Sequence, residues 1–232
     1  MRRAEGVALD RRTCLVHLGW LLPCSLGARA ANLTEADAAT GIRAALERGA
    51  LSAVALLGKS DGFLGNPKVR IPLPGYLEDA GKLLRKLGQG KRVDELVTSM
   101  NRAAEQAVPE AKSLLVQAAK SISVDDALRI VRGGDTSVTD YFAVKTRTPL
   151  GERFLPIVTR ATERLALAEK YNEVADRASR FGLVKPEDAN LQQHVTAKAL
   201  DGLYLMIGEE ERKIRRDPVA TGSAILRKVF GR

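Results

Sequence analysis

From Thr34 to Phe230 the apolar residues recur in steps of three and four, the spacing that stacks side chains along one face of an α-helix. Ala38, Ile42, Ala45, Leu46, Gly49, Ala53 and Leu57 trace a first such face behind Thr34, a residue able to cap a helix start, with Asp37 in the first turn and Gly58 at the end. Leu77, Ala80, Leu84 and Leu87 trace a second, closed by Gly88. Val93, Leu96, Val97, Met100, Ala104 and Ala107 trace a third, which must stop before Pro109. Pro109 suits the first turn of a fourth, carrying Leu114, Leu115, Ala118 and Ile122. Ser123 and Asp126 then form the N-terminal signature of a helix reaching Val131, before Gly133-Gly134 breaks the chain.

Beyond the break, Thr136 to Lys145 is expected as a short helix, and Pro149 as the opening of a longer one with Phe154, Ile157, Val158, Ala161 and Leu165 on one face. Tyr171, Val174, Ala178 and Phe181 continue the spacing to Gly182. Leu191, Val195, Ala199, Leu203 and Ile207 define the last long helix, and Ala220 to Phe230 a short terminal one. The count is roughly nine helices. One stretch differs: Pro67 to Pro74 alternates and holds three prolines, which favours an extended or edge-strand segment. Alanine and glycine crowd the helix faces and only 4% of the chain is aromatic, so backbones can approach closely. The expected fold is a single compact all-α multi-helix bundle over residues 31–232, with no internal repeat or interdomain linker. Such a bundle is either solid or leaves a cleft for an apolar ligand.

Residues 1–30 read as a cleavable export signal: a basic leader with Arg2, Arg3, Arg11 and Arg12, an apolar run from Cys14 to Leu26, and the small-x-small end Ala28-Arg29-Ala30. The run is too short and too interrupted by His17, Gly19 and Pro23 for a permanent membrane anchor. Pro23 before Cys24 disfavours lipid attachment at that cysteine. Cleavage after Ala30 gives a periplasmic chain without cysteine or tryptophan, with His194 as its only histidine. It also removes five basic and two acidic residues, lowering the formal charge from +9 to +6. The remaining charges are interspersed, as in Glu209-Glu210-Glu211-Arg212-Lys213, and read as a solvated helical surface without a nucleic-acid footprint. With no disulfide available, core packing alone must hold the fold.

Much chemistry is excluded by what the chain lacks. His194 has no histidine or cysteine partner for a metal site and is expected to be an exposed helical residue. No serine sits in a Gly-x-Ser-x-Gly elbow or a Ser-x-x-Lys motif. No cofactor is expected. The loop from Lys59 to Pro74 sets Asp61, Asn66, Lys68 and Arg70 beside Gly62 and Gly65, and such a loop can offer backbone N–H groups to an anion. It lacks the Gly-Lys-Ser/Thr ending of a P-loop, and its Gly and Pro residues serve equally as turn punctuation with Phe63 and Leu64 in the core.

Several strings resemble the bacterial family called domain of unknown function 4197. They are Gly58 to Pro67 with Val69 to Pro74, Met100-Asn101-Arg102-Ala103-Ala104-Glu105, Gly133-Gly134-Asp135-Thr136, Phe154-Leu155-Pro156-Ile157, and the run from Phe181 through Ala199 to Tyr204 and on to Ser223. The resemblance spans essentially the whole chain from about Leu33 and implies an exported, soluble, mostly helical protein. It carries no activity over.

The candidate ligand-binding residues are Asp61, Asn66 and Arg70 in the loop, Asn101, Asn172, Asp201 and Tyr204. Asn101 and Asn172 either line a pocket or satisfy a neighbouring helix end. Asp201, beside Gly202 in an apolar run, must be exposed, hydrogen-bonded or paired with a base such as Arg70 or Arg102. Three functions follow as expectations. The first is a non-catalytic module holding a lipid or other apolar small molecule between helices. The others are an interaction or assembly module with an envelope protein as partner, and a hydrolase using carboxylates such as Asp61 or Asp201.

Overall fold

Helix α1 (Glu35–Leu57) starts at a reciprocal cap: the Asp37 amide donates to Thr34 Oγ1 at 3.1 Å, and the Thr34 amide donates to Asp37 Oδ2 at 3.1 Å. Ala39, Ile42, Leu46, Ala50, Ala53 and Leu57 form its inward stripe, all at 0–1% exposure, and Gly58 ends it as the spacing predicts. The computed structural model describes residues 34–163, 168–173, 190–217, 219–220 and 227 of the unit Leu33–Arg232. The expected leader, the continuation from Val174 to Gly182 and nearly all of the terminal segment Ala220 to Phe230 lie outside these residues.

Helix α2 (Gly75–Lys86) is followed by Gly88 at φ +78°, a left-handed turn that glycine adopts without steric cost, and α3 (Gly90–Ala107) starts two residues later. A single 3-10 turn, Val108–Glu110, absorbs Pro109 before α4 (Ala111–Lys120). In α5 (Val124–Val131) the Asp126 amide donates to Ser123 Oγ at 3.1 Å, the predicted start signal. The long helices α6 (Ser137–Thr162) and α7 (Leu191–Arg216) pack on each other; α7 also packs on α1, and α3 on α6. Helix α1 meets α4 and α5 on its remaining sides, while α2 rests mainly on α3. Among the described residues there is no strand, and the fold is all-α. No helix of the described chain is long and apolar enough to cross a membrane.

Several expectations need correction. The two helices expected around Pro149 are one continuous helix, α6, with Pro149 and Pro156 inside it. The backbone acceptors those prolines cannot serve belong to Lys145 and Glu152, both exposed, so water can take them and packing on α3 and α7 keeps the helix whole. In the segment 67–74, residues 67–69 form a turn and 70–74 run irregularly without a strand partner. Leu87 is 66% exposed rather than in the core, because α2 has ended and the chain is turning. His194 is buried at 5%, since the first turns of α7 are enclosed nearly all round, with Leu191, Gln192, Val195 and Thr196 buried beside it. Within the acidic and basic run at the end of α7, Glu211 is buried too.

Met100, Leu115, Phe142, Leu150, Phe154, Val158 and Leu203 belong to one apolar cluster and each has 0% exposure, so among the described residues the centre of the bundle is close-packed.

Candidate functional site

The Asp201-Gly202 pair occupies the middle of α7, where the stripe Val195, Ala199, Leu203 and Ile207 faces the core at 0–1% exposure. Gly202 is there because the loop packs onto it: a Cβ at this position would lie 2.8 Å from Phe63 Cε1 and 3.2 Å from Val69 Cβ. Asp201 is turned to solvent instead. Its carboxylate takes a hydrogen-bonded ion pair from Arg147 Nη2 of α6, and Lys198 Nζ stands 3.7 Å away. The bases suggested by the sequence, Arg70 and Arg102, are not its partners.

Arg147 also places its guanidinium 6.0 Å from the centre of the Tyr204 ring. The ring is buried, and its hydroxyl lies 2.7 Å from Thr146 Oγ1, which itself donates to the Phe142 carbonyl at 3.0 Å. Burial pushes the Tyr204 pKa up, with Thr146 and Arg147 opposing. Asp201 and Tyr204 thus fall on one open groove of about 390 Å³ between α6 and α7, lined further by Asp140, Ala143, Leu205 and Arg212. Its far end is tied down by Glu211, whose buried carboxylate accepts from the Thr139 amide at 3.0 Å and the Thr139 hydroxyl at 2.7 Å. Arg212 is held by Glu209, which also accepts from Lys68 Nζ at 2.9 Å, and these two bases lower the Glu209 pKa to about 2.

On the other side of α6 lies a second open groove, of about 570 Å³, lined by Leu114, Asp126, Tyr141 and Lys145 among others. The Tyr141 hydroxyl donates to Asp126 Oδ2 at 2.7 Å, and with Ser123 it holds the Asp126 carboxyl below its ordinary value. Lys145 stands 5.7 Å over the Tyr141 ring.

The remaining candidates cluster apart from these grooves. The loop's anion-binding amides are already occupied by the chain itself: Glu105 Oε1 accepts from the amides of Phe63 at 3.0 Å and Leu64 at 3.2 Å. Arg102 donates to Glu105 Oε2 at 2.6 Å and to Asp61 Oδ1 at 2.8 Å, while Asp61 adopts the left-handed φ of 63°. Glu105 was not singled out from sequence, although the spacing Val97, Asn101, Glu105 sets it on the inward side of α3. Asn101 is fully buried with its amide consumed: it accepts from the Ile71 amide at 2.8 Å and donates to the carbonyls of Ile71 at 2.9 Å and Val97 at 2.8 Å. It does for Ile71 what a neighbouring strand would do. Asn66 accepts from the Lys68 amide at 3.1 Å, a local turn, and Arg70 is exposed without an ion pair among the described residues. Asn172 accepts from the Leu191 amide at 2.9 Å and donates to Gln192 Oε1 at 3.0 Å, securing the start of α7.

No group of three or more His, Cys, Asp or Glu residues placed to hold a metal ion occurs among the described residues. A family model described as Protein of unknown function (DUF4197) matches residues 32–231. Neither a curated protein nor a solved structure matches the chain.

Proposed function

The chain belongs to the DUF4197 family, and we propose that within it this protein works as an exported, non-catalytic docking module of the cell envelope that seats a partner protein across α6. The observation that carries this reading is the profile of α6 itself. Asp140, Ala143 and Arg147 line one groove, Tyr141 and Lys145 line the other, and Val144 stands on the crest between them, 84% exposed. At 100° per residue these positions fall to either side of Val144 on the helix, so the crest and both flanks face outward together. Leu205, 41% exposed, adds an apolar contact across the first groove. Tyrosine and arginine, which flank this crest, are residue types enriched at protein interfaces.

A carrier of an apolar ligand needs an enclosed chamber, and Met100, Leu115, Phe142, Leu150, Phe154, Val158 and Leu203 of the described core have no accessible surface to line one. A hydrolase would draw on Asp140 and Asp201, which do share a groove. Asp140 accepts from the Thr136 hydroxyl at 3.0 Å and Asp201 is committed to Arg147 and Lys198, so docking is the stronger reading. Export is supported by the leader, and the family match begins at residue 32, just beyond the expected cleavage after Ala30.

The test is native mass spectrometry of protein isolated from the periplasm, with its N-terminus read in the same preparation. Mature chain starting at Ala31 and carrying a stoichiometric protein, lost in the double variant Val144→Glu, Leu205→Glu while the unfolding midpoint holds, is the expected result. A stoichiometric extractable lipid retained by the double variant would replace docking with the carrier reading.

A further inference from the structure

Between Ala80 and Val93 the chain carries Lys82, Arg85, Lys86, Lys91 and Arg92 and no acidic residue. Two of these charges are internal to the fold's surface: Lys82 is bound by Asp79 at 3.0 Å and Arg85 by Asp94 at 2.8 Å. Lys86, Lys91 and Arg92 are exposed and have no acidic partner among the described residues. Leu83 and Leu87 protrude among them, 58% and 66% exposed and one turn apart on the same side of α2. A neighbouring face of α2, about a quarter turn away, holds it to the bundle through Leu77 and Leu84, which pack partly buried against the core. The reversal is tight: the Gly88 amide donates to the Arg85 carbonyl at 3.1 Å and the Gln89 amide to the Leu84 carbonyl at 2.8 Å. That pairing starts α3 at once and brings Lys91 and Arg92 in only four and five residues after Leu87.

The geometry points to a membrane-docking tip: the turn joining α2 and α3 inserts Leu83 and Leu87 at the surface of a bilayer whose anionic headgroups pair with Lys86, Lys91 and Arg92. The occupant is set by two requirements of one short exposed segment. Three cations need anionic partners, and two aliphatic side chains between them need an apolar medium immediately beneath those anions. Anionic headgroups over acyl chains supply both, and lysine stems can lie along the apolar layer while their ammonium groups stay at the headgroups. This tip shares no residue with the α6 crest or its two grooves, so it stands or falls separately from the docking of a partner protein there.

Hydrogen exchange of the full chain reads the tip locally, whatever any other segment does at a lipid surface. With vesicles of phosphatidylethanolamine and phosphatidylglycerol, amide exchange over residues 82–92 should slow several-fold. Vesicles of phosphatidylcholine alone should leave it unchanged, and added salt should reverse the protection. The triple variant Lys86→Gln, Lys91→Gln, Arg92→Gln should lower vesicle partitioning by this segment by roughly a hundredfold, near fivefold per charge. The double variant Leu83→Ser, Leu87→Ser should lower it by about tenfold. Unaltered exchange over 82–92 with anionic vesicles overturns the proposal. So does protection that appears with rising protein concentration and no vesicles, which would assign the patch to a second copy of the chain.

Discussion

Replacing Asn101 by leucine keeps a side chain of similar size in a fully buried position but deletes three hydrogen bonds. Two of them are the partners of Ile71, whose own exposure is 1%, so its N–H and C=O would be stranded away from water. Each stranded group costs about 1–3 kcal/mol. The Val97 carbonyl loses less, because it can still accept from a helical amide. Leucine returns roughly 1 kcal/mol of apolar burial. The net loss is about 2–4 kcal/mol, which in a domain of this size lowers the melting temperature by roughly 5–15 °C. Thermal and urea unfolding of the purified variant measure it. Asn101→Asp separates hydrogen bonding from packing: it keeps the acceptor for the Ile71 amide but aims a second oxygen at two carbonyls, so it should do no better than leucine. A leucine variant melting within about 2 °C of the parent would refute the claim that Asn101 holds the 70–74 segment in place of a strand.

Gly202→Ala forces a Cβ to within 2.8 Å of Phe63, a ring with 0% exposure, and should cost about 1–3 kcal/mol despite alanine's better helix propensity, as seen by urea unfolding. Asp201→Asn breaks ion pairs whose members are 45–47% exposed, so the unfolding midpoint should move by less than about 1 kcal/mol. Glu209 sets a pH response. Its pKa is lowered from 4.5 to about 2 by Lys68 first and then Arg212, so its contribution is present above the unfolded value and is lost as pH falls toward about 2. Lys68→Met should therefore shrink the stability difference between roughly pH 5 and pH 2, and an unchanged difference would show that the bridge to the loop contributes nothing.

The helical elements were legible because their signals are local. The Thr34 and Asp37 cap, the Ser123 and Asp126 start, the stop at Gly58 and the break at Gly133-Gly134 each act within a few residues, and the structure places helix ends at all of them. Pro149 misled because its local preference, to begin a helix, is overridden when the missing bond belongs to an exposed residue, Lys145, and both flanks are packed. His194 and Glu211 misled for a related reason: spacing tells which face of a helix is apolar, but a central helix is covered on several faces at once.

The candidate site divides the same way. That Asp201 interrupts an apolar run is visible in the chain, and its separation from the buried stripe already pointed outward. Which base meets it was not visible, since Arg147 lies 54 positions away and reaches it only because α6 and α7 pack side by side. The glycine-rich loop announced that its amides could hold an anion, yet the anion is Glu105, 42 positions from Phe63.

By itself, then, the order of residues determined that this chain is helical, where most helices begin and end, and which faces turn inward. Periodicity and capping are properties of neighbours three or four residues apart. Only the tertiary structure decided that the described core is close-packed, that Asn101 and Glu105 serve the loop, and that Val144, Leu83 and Leu87 are left outside it. Those outcomes depend on which helix comes to lie against which, and contacts between distant segments are fixed by packing the whole chain at once.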